Sequence, residues 1–268
     1  MERMNYEDVL GRVLDLGEER HDRTGTGTLS VFGVRMEYSL WENHVPLVTT
    51  KKVAWKKALA ELLWMVRGET NIRGLGEAKN IWEPWADDRG ELGPVYGKQW
   101  RDFEGVDQLR DVVETLRRDP WSRRAVMSGW NPKDLPVMAL PPCPVLWQFS
   151  VRSDGTLALE VYQRSADLFL GVPFDLFEFA ALQILVAREL GLEAGKLGVT
   201  LGDAHIYLNH IAQVRQQLER RPRAYPQLVV GLDAPALLPV PHARRLRVDD
   251  FSLVGYEPHG RLMGDVSV

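Results

Sequence analysis

Residues 145–162 read VLWQFSVRSDGTLALEVY and combine two apolar runs with a turn between them. The runs 145–151 and 156–162 are rich in aliphatic, aromatic and β-branched residues, and Ser153-Asp154-Gly155 is a typical turn sequence, so the segment predicts a β-hairpin. An apolar stretch at 174–190 follows and predicts a long helix. A hairpin that leads into a helix favours an α+β fold over a doubly wound sheet.

The segments on either side of this hairpin show the same mixture of helical and strand patterns. The predicted helices cover residues 6–19, 53–66, 106–118 and 209–220, and the predicted strands cover residues 29–38, 125–130, 197–201, 228–230 and 251–256. Residues 71–100, with several tryptophans among glycines and acidic residues, predict irregular structure. No repeat or linker interrupts the chain, so we expect one α+β domain over residues 1–268.

Composition excludes several functional classes. The chain has 268 residues, 45% of them hydrophobic, and a net charge of -4, which provides no electrostatic footprint for DNA or an anionic membrane. One cysteine cannot form an intramolecular disulfide, and no N-terminal apolar run resembles a signal peptide. We therefore expect a cytoplasmic protein with no DNA or membrane partner.

The lone cysteine, Cys143, lies in the sequence Leu140-Pro141-Pro142-Cys143-Pro144. A thiolate adds readily to electron-poor carbon when positive charge lies nearby, and the chain is rich in arginine. Glu61 lies inside a predicted helix, where it either faces solvent or points into a pocket. Taken alone, a single cysteine is also compatible with a small buried apolar residue, and spacing does not distinguish these interpretations.

Short motifs along nearly the whole chain resemble the thymidylate synthase family, in the family's order. They occur at residues 22–28 (DRTGTGT), 46–51 (PLVTTK), 61–64 (ELLW), 93–100 (GPVYGKQW), 122–124 (SRR), 142–143 (PC), 163–165 (QRS), 202–203 (GD) and 205–207 (HIY). The resemblance implies an α+β homodimer in which a mixed sheet packs at the subunit interface, with helices around it. It also implies a pyrimidine nucleoside monophosphate and a reduced folate, 5,10-methylenetetrahydrofolate, as substrates, with no metal.

The resemblance carries roles to individual residues of this chain. It implies that Cys143 attacks C6 of the base, that Glu61 and Tyr96 organise proton transfer, and that Asp175 recognises the base. The residues implied to bind the nucleotide are Arg23, Gln163, Arg164, Ser165, Asp167, Asp175, His205 and Tyr207, together with Arg123 and Arg124 from the partner subunit. Those implied to bind the folate are Lys51, Ile81, Trp82, Trp85, Leu140, Asp167, Gly171, Phe174 and Val268.

Asp175 departs from the family, which has asparagine at this position. An asparagine amide can donate to O4 and accept from N3–H of uracil, whereas an ionised carboxylate only accepts hydrogen bonds. Asp175 can accept from the 4-amino group of cytosine and from a proton at N3, and it resembles the cytidylate hydroxymethylase branch of the family. An aspartate near a helix start is also a favoured N-cap, which is the competing interpretation.

The last chemical step separates that branch from thymidylate synthesis. In the branch, water adds to the exocyclic methylene, whereas thymidylate synthase transfers hydride from the folate. Pro144 stands where the family has histidine, Leu201 where it has glycine, and the tail at residues 264–268 lacks the usual proline-containing ending. These departures lie where they can alter water placement or closure of the site.

The sequence thus favours 5-hydroxymethylation of a cytidine monophosphate, with CMP favoured over dCMP and a place in nucleoside-antibiotic biosynthesis. Methylation of dUMP is the alternative within the family. A catalytically silent nucleotide-binding or regulatory protein is the alternative from another class, because Pro144 and Leu201 depart from the family pattern.

Overall fold

A mixed β-sheet forms the centre of the molecule in the computed structural model, which describes residues 4–267 apart from the side chains of residues 240 and 241. Its strands are β1 (Glu18–Arg20), β2 (Thr28–Ser39), β3 (Val126–Ser128), β4 (Pro144–Val151), β5 (Thr156–Asp167) and β6 (Glu193–Tyr207). They are ordered β1-β2-β6-β5-β4-β3. Only the β5–β6 pair is parallel in this described sheet, and the other neighbours are antiparallel.

The predicted hairpin is present as β4 and β5, with Phe149 opposite Leu159. Parallel strands cannot be joined by a tight turn, so the chain returns from β5 to β6 through a helix. That helix is α5 (Val172–Leu190), which packs against β5 and β6. This arrangement confirms the predicted α+β class and its mixed sheet.

The remaining helices surround this sheet. They are α1 (Tyr6–Leu16), α2 (Trp55–Val66), α3 (Tyr96–Arg101), α4 (Gln108–Arg118), α6 (Ile211–Leu218) and α7 (Val240–Ala243), with 3-10 turns at Trp41–Asn43, Ile72–Ile81, Glu83–Trp85, Leu135–Val137, Leu208–His210 and Val248–Asp250. Helix α5 is apolar around most of its circumference because α2 and the sheet bury it between them. The described helices include none that is long and apolar enough to cross a bilayer.

Strand β6 is much longer than the strand predicted at 197–201. Gly195, Gly198 and Gly202 lower the local β-propensity, and Asp203 and His205 break the apolar run. The neighbouring strands override this weak local signal, since β2 pairs with β6 from Tyr207 to Lys196 and β5 pairs with its other edge. The prediction of a short strand was wrong for this reason.

Other boundaries also differ from the sequence predictions. The first helix ends at Leu16, and residues predicted as its last turn form strand β1 beside β2. Residues 71–100, predicted as irregular, contain the 3-10 helix Ile72–Ile81 and the start of α3. A separate hairpin pairs β7 (Gln227–Val230) with β8 (Phe251–Val254).

Candidate active site

Cys143 lies directly before strand β4 in a segment held by several polar contacts. Its backbone N–H donates to the Tyr96 hydroxyl oxygen at 2.7 Å. Arg164 donates from Nε to the Pro142 carbonyl oxygen at 2.8 Å and from Nη2 to the Pro141 carbonyl oxygen at 3.0 Å. The flanking prolines also fix the backbone, so the thiol is held at the end of the strand.

Burial raises the pKa of the Cys143 thiol to about 11. The positive charge of Arg164 opposes this rise, as does Arg23 to a smaller extent, while Asp175 and Asp167 add to it. The thiol is therefore protonated in the free protein at neutral pH. A thiolate at this position forms only when the bound reactants or a nearby base stabilise it.

Arg164, which contacts the backbone just before Cys143, also lines an open cavity of about 600 Å³. Its lining residues are Arg20, His21, Asp22, Arg23, Thr28, Arg164, Ser165, Asp203, His205 and Tyr207. The cavity brings together five residues predicted for nucleotide binding, with two of them arginines. Guanidinium groups suit a phosphate dianion because they donate paired, charge-assisted hydrogen bonds.

A charged network orients His205 at the edge of this cavity. His205 Nδ1 lies 3.0 Å from Asp203 Oδ1, which also accepts from Ser30 Oγ at 2.8 Å, and Arg20 Nη1 donates to Asp203 Oδ2 at 3.0 Å. Burial opposes protonation of the imidazole, but the Asp203 hydrogen bond and the charges of Asp167 and Asp203 outweigh it, so the His205 pKa is raised. Burial raises the pKa of neighbouring Tyr207 to about 12.

Asp175 is the fourth residue of α5 and does not cap the helix. The N-cap is Gly171, and the Asp175 side chain instead accepts from Gln163 Nε2 through Oδ2 at 2.7 Å. Burial raises the Asp175 pKa to about 7, with repulsion from Glu61 and Asp167 adding to the shift. The interpretation of Asp175 as an N-cap was wrong.

Gln163 lies on β5 between two residues that depart from the family pattern. It sits opposite Pro144 on β4 and opposite Leu201 on β6. Pro144 and Leu201 are both buried, so they shape the part of the sheet that supports the Gln163–Asp175 contact. Pro144, Gln163 and Leu201 are thus neighbours in the sheet, and Gln163 contacts the Asp175 side chain.

Glu61 points into the protein rather than to solvent. It is 9% exposed on α2, and Trp82 Nε1 donates to its Oε1 at 2.6 Å. Its carboxyl group also hydrogen-bonds to that of Glu178, on α5, which is 6% exposed. Burial raises the pKa of both carboxyl groups. Of the two open interpretations of Glu61, the structure supports the buried one.

Aromatic side chains cluster around Trp82. Its ring centroid lies 6.2 Å from that of Trp64, 5.9 Å from Trp85 and 6.0 Å from Tyr96. Trp85 is half-buried, and no described group hydrogen-bonds to its buried Nε1. Trp82 thus contacts the Glu61 carboxyl group on one side and the Trp85 and Tyr96 rings on the others.

The other residues implied to bind folate occupy several positions around the site. Lys51 is buried, donates to the Phe169 carbonyl oxygen, and lies 3.7 Å from the centroid of the Phe169 ring; burial lowers its pKa to about 8, against attraction from Asp167. Asp167 Oδ1 accepts from two backbone N–H groups in the turn that leads to Gly171. Ile81, Leu140 and Phe174 are half-buried. Val268 lies outside the described residues.

Arg123 and Arg124 are exposed and do not line the cavity of their own chain. Exposure is what a contribution to a partner's site requires. Glu178 and Arg20 were not predicted as site residues, and Asp203 was recognised only as part of a family motif, with no role. Glu178 lies three residues after Asp175 in a predicted helix, a spacing that places two acids on one helical face, and this signal was available.

The residues described contain no group of three or more His, Cys, Asp or Glu side chains placed to hold a metal ion. A half-buried thiol, a cavity with three arginines and two buried carboxyl groups suit covalent and acid–base chemistry on an anionic substrate.

Comparison with known proteins agrees with this chemistry. The thymidylate synthase family model matches residues 4–268, so the chain belongs to the thymidylate synthase family of one-carbon transferases. A protein named thymidylate synthase from Corynebacterium aurimucosum is 49% identical over 269 residues, covering 98% of this chain and 97% of the relative. Members of the family transfer a one-carbon unit from methylenetetrahydrofolate to a pyrimidine nucleoside monophosphate.

Proposed function

We propose that this enzyme catalyses 5-hydroxymethylation of a cytidine monophosphate, with CMP favoured over dCMP. The observation that carries the proposal is the Asp175 carboxyl group. Gln163 donates to Oδ2, and no described donor contacts Oδ1, which stays free for a ligand. Asp175 also acts electrostatically on Cys143 and Tyr96, so it lies near the nucleophile.

Cytosine and the Asp175 carboxyl group have complementary hydrogen-bonding patterns when N3 and the carboxyl group together hold one proton. One carboxyl oxygen accepts from the 4-amino group, and the other shares a proton with N3. A pKa of about 7 for Asp175 means that the proton is available near neutral pH. Protonation of N3 withdraws electrons from the ring, forms a charge-assisted pair and eases attack at C6.

The proposed reaction forms and breaks bonds in a fixed order. The Cys143 thiolate adds to C6, and C5 then attacks the methylene carbon of methylenetetrahydrofolate while one of the two carbon–nitrogen bonds of that methylene breaks. Loss of the C5 proton and cleavage of the second carbon–nitrogen bond release tetrahydrofolate and leave an exocyclic methylene. Water adds to this methylene, Cys143 leaves C6, and the product carries a 5-hydroxymethyl group.

The remaining residues take the binding roles that the family pattern implies. Arg23, Arg164 and Ser165 hold the phosphate together with Arg123 and Arg124 of the partner subunit. His205 and Tyr207 hold the sugar, while Glu61 and Tyr96 relay protons around the base. The folate lies against the residues that the family pattern assigns to it, which are Lys51, Ile81, Trp82, Trp85, Leu140, Asp167, Gly171 and Phe174.

Methylation of dUMP is the second candidate, and two observations favour it. The relative named thymidylate synthase is 49% identical to this chain. In addition, a neutral Asp175 resembles an amide, because its hydroxyl donates to O4 and its carbonyl accepts from N3–H. Since the Asp175 pKa is raised to about 7, any use of dUMP should weaken as the pH rises above that value.

Activity of the wild type and of Asp175→Asn on CMP, dCMP and dUMP tests the base preference. We expect the wild type to form a hydroxymethylated cytidylate and tetrahydrofolate. The amide cannot share a proton with N3, so Asp175→Asn should lower cytidylate kcat/KM by about tenfold or more and admit dUMP. Asp111→Asn, which removes an acid from the first turn of α4, is the matched control and should leave activity unchanged.

Formation of thymidylate and dihydrofolate from dUMP by the wild type would overturn the proposal in favour of the second candidate. An unchanged cytidylate preference in Asp175→Asn would remove Asp175 from base recognition.

A further inference from the structure

Glu178 forms a buried carboxyl pair with Glu61. It lies on α5 one turn after Asp175 and contacts Glu61 on the packed helix α2. Two ionised carboxylates cannot hydrogen-bond to each other, because neither has a donor. A hydrogen bond between Glu61 and Glu178 therefore requires that one of the two carboxyl groups holds a proton.

Among the described residues, no Lys, Arg or His side chain contributes to the pKa shifts of Glu61 and Glu178. The titratable groups that act on Glu178 are Glu61 from α2 and Asp175 from α5 itself, with none from α4, β5 or β6. Burial is the largest cause that raises the Glu178 pKa, and repulsion from Glu61 and Asp175 adds to the shift. In the part of the chain that the structure describes, the buried Glu178 Oε1 has no hydrogen-bond partner.

Glu61 is therefore oriented from two sides. Trp82 Nε1 donates to Oε1 at 2.6 Å, and the hydrogen bond with Glu178 lowers the Glu61 pKa, as expected if Glu178 is the donor. A carboxyl group held by two donors keeps one geometry toward the ring, which proton transfer requires.

We propose that Glu178 is a positioning residue that acts through Glu61, holding a shared proton against it and fixing the carboxyl group that relays protons around the base. This inference rests on the relay role proposed for Glu61. It does not depend on whether the base is cytosine or uracil.

Steady-state kinetics of the full-length enzyme test the inference, with the nucleotide on which the wild type proves active. Glu178→Leu removes the donor and should lower kcat at least about tenfold while changing the nucleotide KM less than about twofold. Glu178→Gln keeps a donor that does not ionise. It should retain kcat within about threefold at pH 7 and shift the alkaline limb of the pH profile upward.

A double variant separates action through Glu61 from an independent effect. In the Glu61→Gln background, Glu178→Leu should cause little further loss, because residues that act as a unit are not additive. Glu189→Gln is the matched control on the same helix. Its carboxylate binds Arg117 at 2.7 Å at the far end of α5, so the change should lower the melting temperature and leave the pH profile unchanged.

Each adverse result has a distinct meaning. A Glu178→Leu enzyme with wild-type kcat, or additive losses in the double variant, would overturn the role of Glu178 alone. Wild-type kcat in Glu61→Gln would overturn both the relay role and this inference. If Glu178→Leu does not fold, an unshifted pH profile in Glu178→Gln overturns the inference. Formation of products from dUMP bears only on the base preference.

Discussion

Asp203 shows how one carboxylate organises several neighbours at the scale of single residues. Through its two oxygens it accepts from Ser30 and Arg20 and contacts the His205 imidazole. The hydrogen bond from His205 is the first cause that lowers the Asp203 pKa, and it helps to raise the His205 pKa. The pair is therefore an ion pair over an intermediate range of pH.

We predict that Asp203→Asn destabilises the fold most between about pH 4 and pH 6.5. The His205 contribution is complete below the unfolded-state value of 6.5 and is lost as the pH rises through the raised folded value. The Asp203 contribution is present above 3.8 and is lost as the pH falls through the lowered folded value. Urea unfolding at pH 5.5 should show a loss of about 1–2 kcal/mol, and a smaller loss at pH 8.5.

Ser30→Ala serves as the control, because it removes a partner of Asp203 without removing a titratable group. Its cost should vary little between the two pH values. An Asp203→Asn cost that is equal at both would mean that the histidine pair does not stabilise the fold.

Helix α5 ends at Gly191, which adopts a left-handed conformation with φ of 69°. No heavy atom lies within 4 Å of a Cβ placed there, so a substitution meets conformational strain and no clash. Gly191→Ala should therefore lower the free energy of unfolding by about 1 kcal/mol. The measurement is chemical denaturation at neutral pH.

Gly11 provides the matched comparison at the scale of the element. It lies inside α1, and a Cβ there also meets no atom within 4 Å. Since its backbone is helical, Gly11→Ala should raise the free energy of unfolding by about 0.5–1 kcal/mol. Equal effects of the two substitutions would contradict the conformational explanation.

The elements also divide into those that the sequence predicted and those that it did not. The β4–β5 hairpin and α5 carry strong local patterns, and both are present, although β5 extends to Asp167, five residues past its predicted end. Strand β6 was underestimated, because its glycines and charged residues become a strand only between β2 and β5. A local sequence pattern predicts an element when the element's own residues favour that structure. It fails when pairing with neighbouring strands is what forms the element.

At the scale of the whole molecule, no described helix covers one face of the sheet among residues 4–267. Arg35, Thr200 and Tyr162 lie opposite one another across β2, β6 and β5, and Tyr162 is 36% exposed. The alternate side chains of these strands are buried and point to the other face of the sheet, where helix α5 packs. The face that no described helix covers and the exposed Arg123 and Arg124 support the proposed homodimer with arginines shared between subunits.

We predict that two inactive variants restore activity when mixed. A Cys143→Ser chain still provides its arginines, and a chain carrying Arg123→Ala and Arg124→Ala still provides its thiol. After random reassociation into two-fold dimers, about one quarter of the sites should be intact. The measurement is activity after joint unfolding and refolding of the two variants.

Each variant refolded alone is the control and should stay nearly inactive. Absence of recovery, with mixed dimers present by mass, would place Arg123 and Arg124 outside the partner's site.

The sequence by itself determined the α+β class and the family, because short motifs and periodic apolar runs are local properties of the chain. The catalytic roles of individual side chains stay predictions. Tertiary structure alone decided that Glu61 is buried against Glu178, and that Pro144 and Leu201 flank Gln163 beneath Asp175. These are contacts between distant segments. The protonation of buried carboxyl groups depends on solvent exclusion and neighbouring charge, which arise only when the chain has folded.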